Sequence, residues 1–277
     1  MRTGKGVRTA LTVLAFVILF AAKTALAATT FAHIEVVEGI VTIIDDKGQA
    51  RIAHVGDIVE EGDTIGTGAD GELQMLTEDQ GFIAVRPNTR MKVEAYRANG
   101  DAEDRSVISL LSGTLRSITG WIGTFNRSNY QIKTPTAGIA IRGTDHEPFH
   151  IPEPAPGEQP VAAPGTYDKV NSGSTAIRNG AGEVVVNPKE VGFAPHDAKS
   201  APQIAKAIPH FYRPSANERR IEQRKPEVEK EMAHRRAERQ NRQLPKESPK
   251  RQERRSGPPP RHEPHHEHRP PSAAARQ

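Results

Sequence analysis

The chain has 277 residues, no cysteine, 35% hydrophobic and 5% aromatic residues, and a formal net charge of +4 at pH 7. Lacking cysteine, it has no disulfide staples, thiol nucleophile or thiolate metal ligand, so an ordinary apolar core must hold it together. Residues 28–197 carry 14 Lys/Arg against 24 Asp/Glu and residues 198–277 carry 20 against 10; the folded part is thus acidic, and nucleic acid is excluded as its partner.

Arg2, Lys5 and Arg8 form a positive start, Ala10 to Ala22 is apolar but short for a bilayer span, and Ala25-Leu26-Ala27 is a small-x-small cleavage pattern. This predicts a signal peptide over residues 1–27, a mature chain from Ala28, and a periplasmic or secreted protein with no membrane span after leader cleavage. Lys23, just beyond the apolar stretch, leaves a retained anchor open as the alternative.

From Ile34 onward short apolar runs are punctuated by Gly, Asn and Asp. Ile40 to Ile44 reads as a strand buried on both faces, and Asp46-Lys47-Gly48 turns it into a hairpin with Arg51-Ile52-Ala53. Met91, Val93 and Ala95 alternate with Arg90, Lys92, Glu94 and Tyr96, which predicts one dry and one wet face. Ser112-Gly113 is expected to turn Ser106–Leu111 into Thr114–Ile118, and Ser172-Gly173-Ser174 to turn Tyr167–Asn171 into Thr175–Arg178. Tyr130 to Lys133 and Gly138 to Ile141 read as short β segments broken at Thr134-Pro135 and closed by Arg142-Gly143-Thr144. The fold class is all-β, either a sandwich of jelly-roll type or a β-roll.

Residues 152–164 form a Pro-rich loop inserted within a single domain over residues 28–197. Beyond it, residues 198–277 turn rich in Arg, Gln, Glu, Pro and His. Glu218 to Leu244 has helical composition, but Pro226 interrupts it and no apolar stripe is visible. The segment is therefore predicted to be a disordered basic tail. Its net charge of +10 would suit anionic envelope polymers, or a fold-back onto the domain's net −10.

Several motifs taken in order resemble the FecR-type periplasmic domain family, whose founding member regulates ferric-citrate uptake. They are Val55-Gly56-Asp57 with Glu61 to Gly68, Arg86-Pro87-Asn88-Thr89, Leu110 to Arg116, and Thr134-Pro135-Thr136-Ala137 followed by Ile141-Arg142-Gly143-Thr144. Gly165 to Val170 is similar to the C-terminal strands of some members, while His146 stands where members often carry a large apolar residue. The resemblance implies a non-catalytic binding or signalling domain with an envelope protein or polysaccharide as partner. Only the leader is read before Phe31, so the cytoplasmic anti-sigma segment of the cell-surface regulators is not expected. Thr134, Pro135, Thr136, Arg142, Gly143 and Thr144 are the candidate binding residues that the family motif supplies. Arg142 is read first as a structural pin paired with Asp63 or Asp145, and second as a ligand contact.

No cofactor and no catalytic residue is expected. One alternative is a zinc-dependent hydrolase, because His146-Glu147-Pro148-Phe149-His150 matches H-E-x-x-H. That motif needs a helix to bring both imidazoles to one metal, and Pro148, Pro152 and Pro154 oppose one. His146 and His150 remain weak metal candidates, as do His262, His265, His266 and His268 near the C-terminus. Trp121 with Phe125 and Tyr130 is read as core first and as a sugar-stacking platform second.

Overall fold

A computed structural model describes residues 29–197 and 199–243. The predicted leader lies outside the described residues. Two units are distinguished, one ending at Arg235 and one starting at Arg236. Within the second, residues 236–243 continue a helix, and everything below concerns the first.

Among the described residues seventeen strands form one hydrogen-bonded network that divides into two sheets sharing a single long strand. That strand is β9, Arg105–Ile118. Its second half runs between β7 (Phe82–Val85) and β12 (Asp145–Ile151). Outward from β7 lie β6 (Glu72–Thr77), β1 (Thr30–Glu38) and β4 (Ile58–Glu60). Outward from β12 lie β13 (Gly165–Ser172), β16 (Val191–Pro195) and β17 (Gln203–Ile204).

The first half of β9 belongs to the second sheet, between β8 (Arg90–Arg97) and β10 (Tyr130–Lys133). Beyond β8 come β5 (Thr64–Thr67), β2 (Val41–Ile44) and β3 (Ala50–Ile52). Beyond β10 come β11 (Gly138–Ile141), β14 (Thr175–Asn179) and β15 (Gly182–Val186). Among the described strands only the β9–β10 pair is parallel. A parallel neighbour requires a crossover, and helix α1 (Trp121–Phe125) with a 3-10 turn at Arg127–Asn129 supplies it.

Ser112-Gly113 is therefore not a hairpin turn but the point at which one strand passes from sheet to sheet. Gly113 has φ +79°, and a Cβ there would lie 2.4 Å from Thr89 Oγ1 and 2.5 Å from Asn88 O. A side chain would meet both strain and backbone.

The sheets face each other across one apolar core. Phe31 on β1 meets Tyr96 on β8 edge to face, with ring centroids 4.8 Å apart. The backbone of β16 at Gly192 approaches the opposite sheet so closely that a Cβ would lie 2.5 Å from Val186 and 2.6 Å from Ile177. Ile43, Ile65, Leu73, Met75, Ile108 and Leu110 are among the fully buried residues between them. Each such side chain contributes on the order of 1.5–3 kcal/mol by leaving water. The all-β expectation holds, in a two-layered form.

Local departures have local causes. Ile40 is exposed and Val41 to Ile44 alternates, so β2 is buried on one face only. A bulge between Val93 and Ala95 on β8 shifts the phase of alternation. Tyr96 thereby turns inward, although simple alternation put it on the wet face. Ser172-Gly173-Ser174 does not close a hairpin, because β13 and β14 lie in different sheets.

The largest departure concerns the tail. Residues 203–204 add β17 to the first sheet, and residues 218–243 form helix α2, Glu218–Gln243. Ile221, Val228 and Met232 join the main core. The domain thus extends past residue 197, and the expected disorder does not apply to residues 199–243. Pro226 sits inside α2 without ending it. Its cost, about 3 kcal/mol or more, is met by contacts on both sides of the proline.

Candidate functional site

The Thr-Pro-Thr-Ala turn between β10 and β11 folds around its own first threonine. Thr134 Oγ1 accepts from the Ala137 N–H at 2.9 Å. Thr134 and Thr136 hydroxyls each lie 2.6 Å from Thr166 Oγ1 on β13, and His150 Nδ1 is 3.2 Å from that same oxygen. This polar chain ties the second sheet to the first. Pro135 is exposed at the apex. Burial, together with the charge of His196, pushes His150 down to about 4 against an opposing backbone hydrogen bond at Gly165.

His146 is wholly buried, and its Nδ1 lies 2.8 Å from Asp168 Oδ1, which also accepts from Thr175 at Oδ2, 2.6 Å away. The H-E-x-x-H string lies on strand β12, not on a helix. Two residues four apart on a strand are separated by about 13 Å, so His146 and His150 do not converge on one ion. Among the described residues no group of three His, Asp or Glu side chains is arranged to hold a metal. His262, His265, His266 and His268 lie outside the described residues.

Gly143 takes φ +66°, and the buried Thr144 exchanges hydrogen bonds with Thr119 at 2.9 Å. Arg142 is exposed and makes no ion pair among the described residues; its backbone N–H bonds Ser174 O. The expected pin on Asp63 or Asp145 is supplied by other arginines. Arg51 reaches Asp63 at 3.6 Å. Arg116 grips Asp145 with two bonds, Nε to Oδ1 at 2.8 Å and Nη2 to Oδ2 at 2.7 Å.

That bidentate pair is the centre of a charged face. On β12 the odd residues Asp145 and Glu147 point away from the core, joined on neighbouring strands by Arg116, Lys169 and Asn171. Lys169 Nζ is 2.7 Å from Glu147 Oε1, and Asn171 Nδ2 bonds both carboxylates. The C-terminal segment covers this face. Glu218, at the start of α2, accepts from Arg86 Nη2 at 2.7 Å and from Arg116 Nη1. Arg116 also meets Glu222 at 2.7 Å, Lys225 meets Asp145 at 2.9 Å, and Arg224 Nε meets Glu35 at 3.0 Å. Tyr212 donates its hydroxyl to Glu147 O at 3.0 Å.

Burial raises the cost of charge on Asp145, but Arg116, Lys225 and Asn171 outweigh it and hold the carboxyl at about 2. Glu218 is likewise depressed against its burial by Arg86 and Arg116. Residues 199–235 of the basic segment therefore fold back on the acidic domain, one of the two roles the segment's charge suggested. Sequence reading missed the ordered helix because the stripe on α2 is mixed. Ile221, Val228 and Met232 are interleaved with Arg224, Lys225 and Arg235, whose heads find carboxylates or, for Arg235, the face of Trp121 at 4.0 Å. One usable signal was Ser215-Ala216-Asn217-Glu218, a capping pattern in which Glu218 accepts from the Ser215 N–H at 3.3 Å. Trp121 itself is core: it is 7% exposed and donates its indole N–H to Asp104 at 2.9 Å.

Comparison with known proteins gives the class. Residues 63–150 match the family described as FecR protein; the chain carries a FecR-family domain over that span. Among solved structures, two crystal structures of a candidate anti-sigma factor from Parabacteroides distasonis ATCC 8503 are each 10% identical with a TM-score of 0.40, covering 53% of this chain and 60% of that one. A cell surface anchoring domain is 24% identical with a TM-score of 0.22, over 22% of this chain and 82% of its own. No curated protein matches the chain. Among the described residues no helix is long and apolar enough to cross a membrane.

Proposed function

We propose that this chain is an exported, non-catalytic FecR-type β domain that binds a protein or glycan partner in envelope sensing or scaffolding. The carrying observation is the FecR match over residues 63–150, read with what the motif side chains do. The side chains of Thr134, Thr136, His146 and His150, and the backbone of Thr144, are engaged in bonds that join strands and sheets. They serve as architecture and leave recognition to surfaces around them. Arg142 and Pro135, exposed beside this architecture, are the family-motif residues accessible to a partner. The basic residues beyond α2 are proposed to contact anionic envelope polymers.

Fractionation of cells expressing a C-terminally tagged chain, followed by cross-linking and capture from the envelope fraction at several salt concentrations, tests the reading. A specific protein or polysaccharide should be recovered with the tagged chain. Retention of the chain in the cytoplasm, or capture of nothing beyond background at every salt concentration, would overturn it.

A further inference from the structure

Between the charged face, the Pro-rich loop and the segment leading into α2 lies a cavity of about 420 Å³, within the range of small-ligand sites. Its lining includes Arg86, which is 6% exposed and whose Nη1 meets no acceptor among the described residues. An unmet buried donor costs about 1–3 kcal/mol. A second guanidinium nitrogen, Nη2, is held by Glu218 at 2.7 Å and lies 3.9 Å from Glu147. Arg86 is thus fixed in place with its Nη1 unused.

The lining selects among ligand charges. Glu38, Asp70, Glu72 and Glu147 outnumber Arg86 and Arg213, which disfavours an anion. A simple cation would suit the carboxylates but offers no acceptor to Arg86. A neutral polyol supplies both, since each hydroxyl donates to a carboxylate and accepts from a guanidinium. One wall is aromatic: Phe149 meets Phe211 edge to face at 4.8 Å, and Phe211 meets Tyr212 at 4.9 Å. Such rings pack against the C–H face of a pyranose.

We infer that this cavity is a binding site for a neutral saccharide, with Arg86 and the flanking carboxylates holding its hydroxyls and Phe149, Phe211 and Tyr212 holding its apolar face. The site rests on the binding-module reading above and deepens it. Phe211, Tyr212, Arg213, Ser215 and Ala216, five of its fourteen lining residues, belong to the segment that leads into α2, and Arg86 both lines the cavity and bonds Glu218 of the helix. Ligand binding therefore favours the docked helix.

The test uses the full chain, with cellobiose and N,N′-diacetylchitobiose as neutral probes and glucuronate and glucosamine as charged ones, followed by amide chemical shifts and calorimetry. A neutral disaccharide should shift the amides of Tyr212, Arg213 and Ala216 and should bind more tightly than either charged sugar. Arg86→Gln should weaken binding at least about tenfold, roughly 1.4 kcal/mol. Val161 lines the cavity from the loop and is 59% exposed, so Val161→Trp should block the site with thermal stability unchanged. No shift with either disaccharide, tighter binding of a charged sugar, or undiminished affinity in Val161→Trp would each defeat the assignment. If Val161→Trp captures the envelope partner as well as the wild type but binds no sugar differently, the module reading stands and the cavity site falls. If sugars bind at the cavity while no envelope partner is captured, the reverse holds.

Discussion

The strands of residues 30–195 and the segment of residues 199–235 are held by different physics. The first is closed by a continuous apolar core between two sheets. The second is seated by Ile221, Val228 and Met232 plus a set of ion pairs onto Glu35, Arg86, Arg116 and Asp145. A segment too polar to fold alone can still be ordered when the surface it meets carries its charge complement and both sets of charges are bonded.

Arg116→Ala should break that comparison most severely. It removes the bidentate partner of Asp145, which is 1% exposed and keeps only Lys225 and Asn171, and it leaves Arg86 as the one cation on Glu218. A loss of about 3–5 kcal/mol in urea denaturation is expected, the usual result of removing one partner of a buried pair. A loss under about 1 kcal/mol would mean that the charged face contributes little. Ile221→Ala follows, at about 2–4 kcal/mol from lost burial and the cavity left behind. Hydrogen exchange should rise in α2 first and in the core strands later; uniform exchange would show that the two regions are a single cooperative unit.

The pH response sharpens the contrast. His150 titrates near 4 in the folded protein, below its ordinary value of 6.5, so the unfolded chain binds the proton first. Stability is complete above pH 6.5 and declines as pH falls toward 4, on the order of 1–3 kcal/mol in total. Asp145 adds a second loss between its ordinary 3.8 and about 2, where protonation breaks its pairs with Arg116 and Lys225. Melting temperature against pH for His150→Gln should lose the first step and keep the second. The smallest effect belongs to Arg142→Ala, within about 0.5 kcal/mol for an exposed side chain without an ion pair; a large change would restore the pinning role that Arg116 holds.

Much of the strand framework was legible. The hairpin of β2 and β3 follows from a β-branched run, a glycine turn and a second apolar run, all local in sequence. The phase change at Tyr96 was not, because a bulge is an agreement between two strands and leaves little trace in one. Of the candidate site, the threonines of the Thr-Pro-Thr-Ala turn stand out in the sequence, but their partner Thr166 lies 32 and 30 residues further on, in the opposite sheet. Arg86 and Arg116 both stand inside recognised family motifs. Nothing in those short runs says that their heads meet Glu218, more than 100 residues further on.

The amino-acid order by itself determined that this protein builds short β-branched strands without disulfides, and that its acidic part and its basic part are separate stretches of chain. Only the tertiary structure decided that part of the basic stretch belongs to the fold. Burial of alternating apolar residues is written in local periodicity, whereas an ion pair forms only between groups that the completed sheets bring within reach.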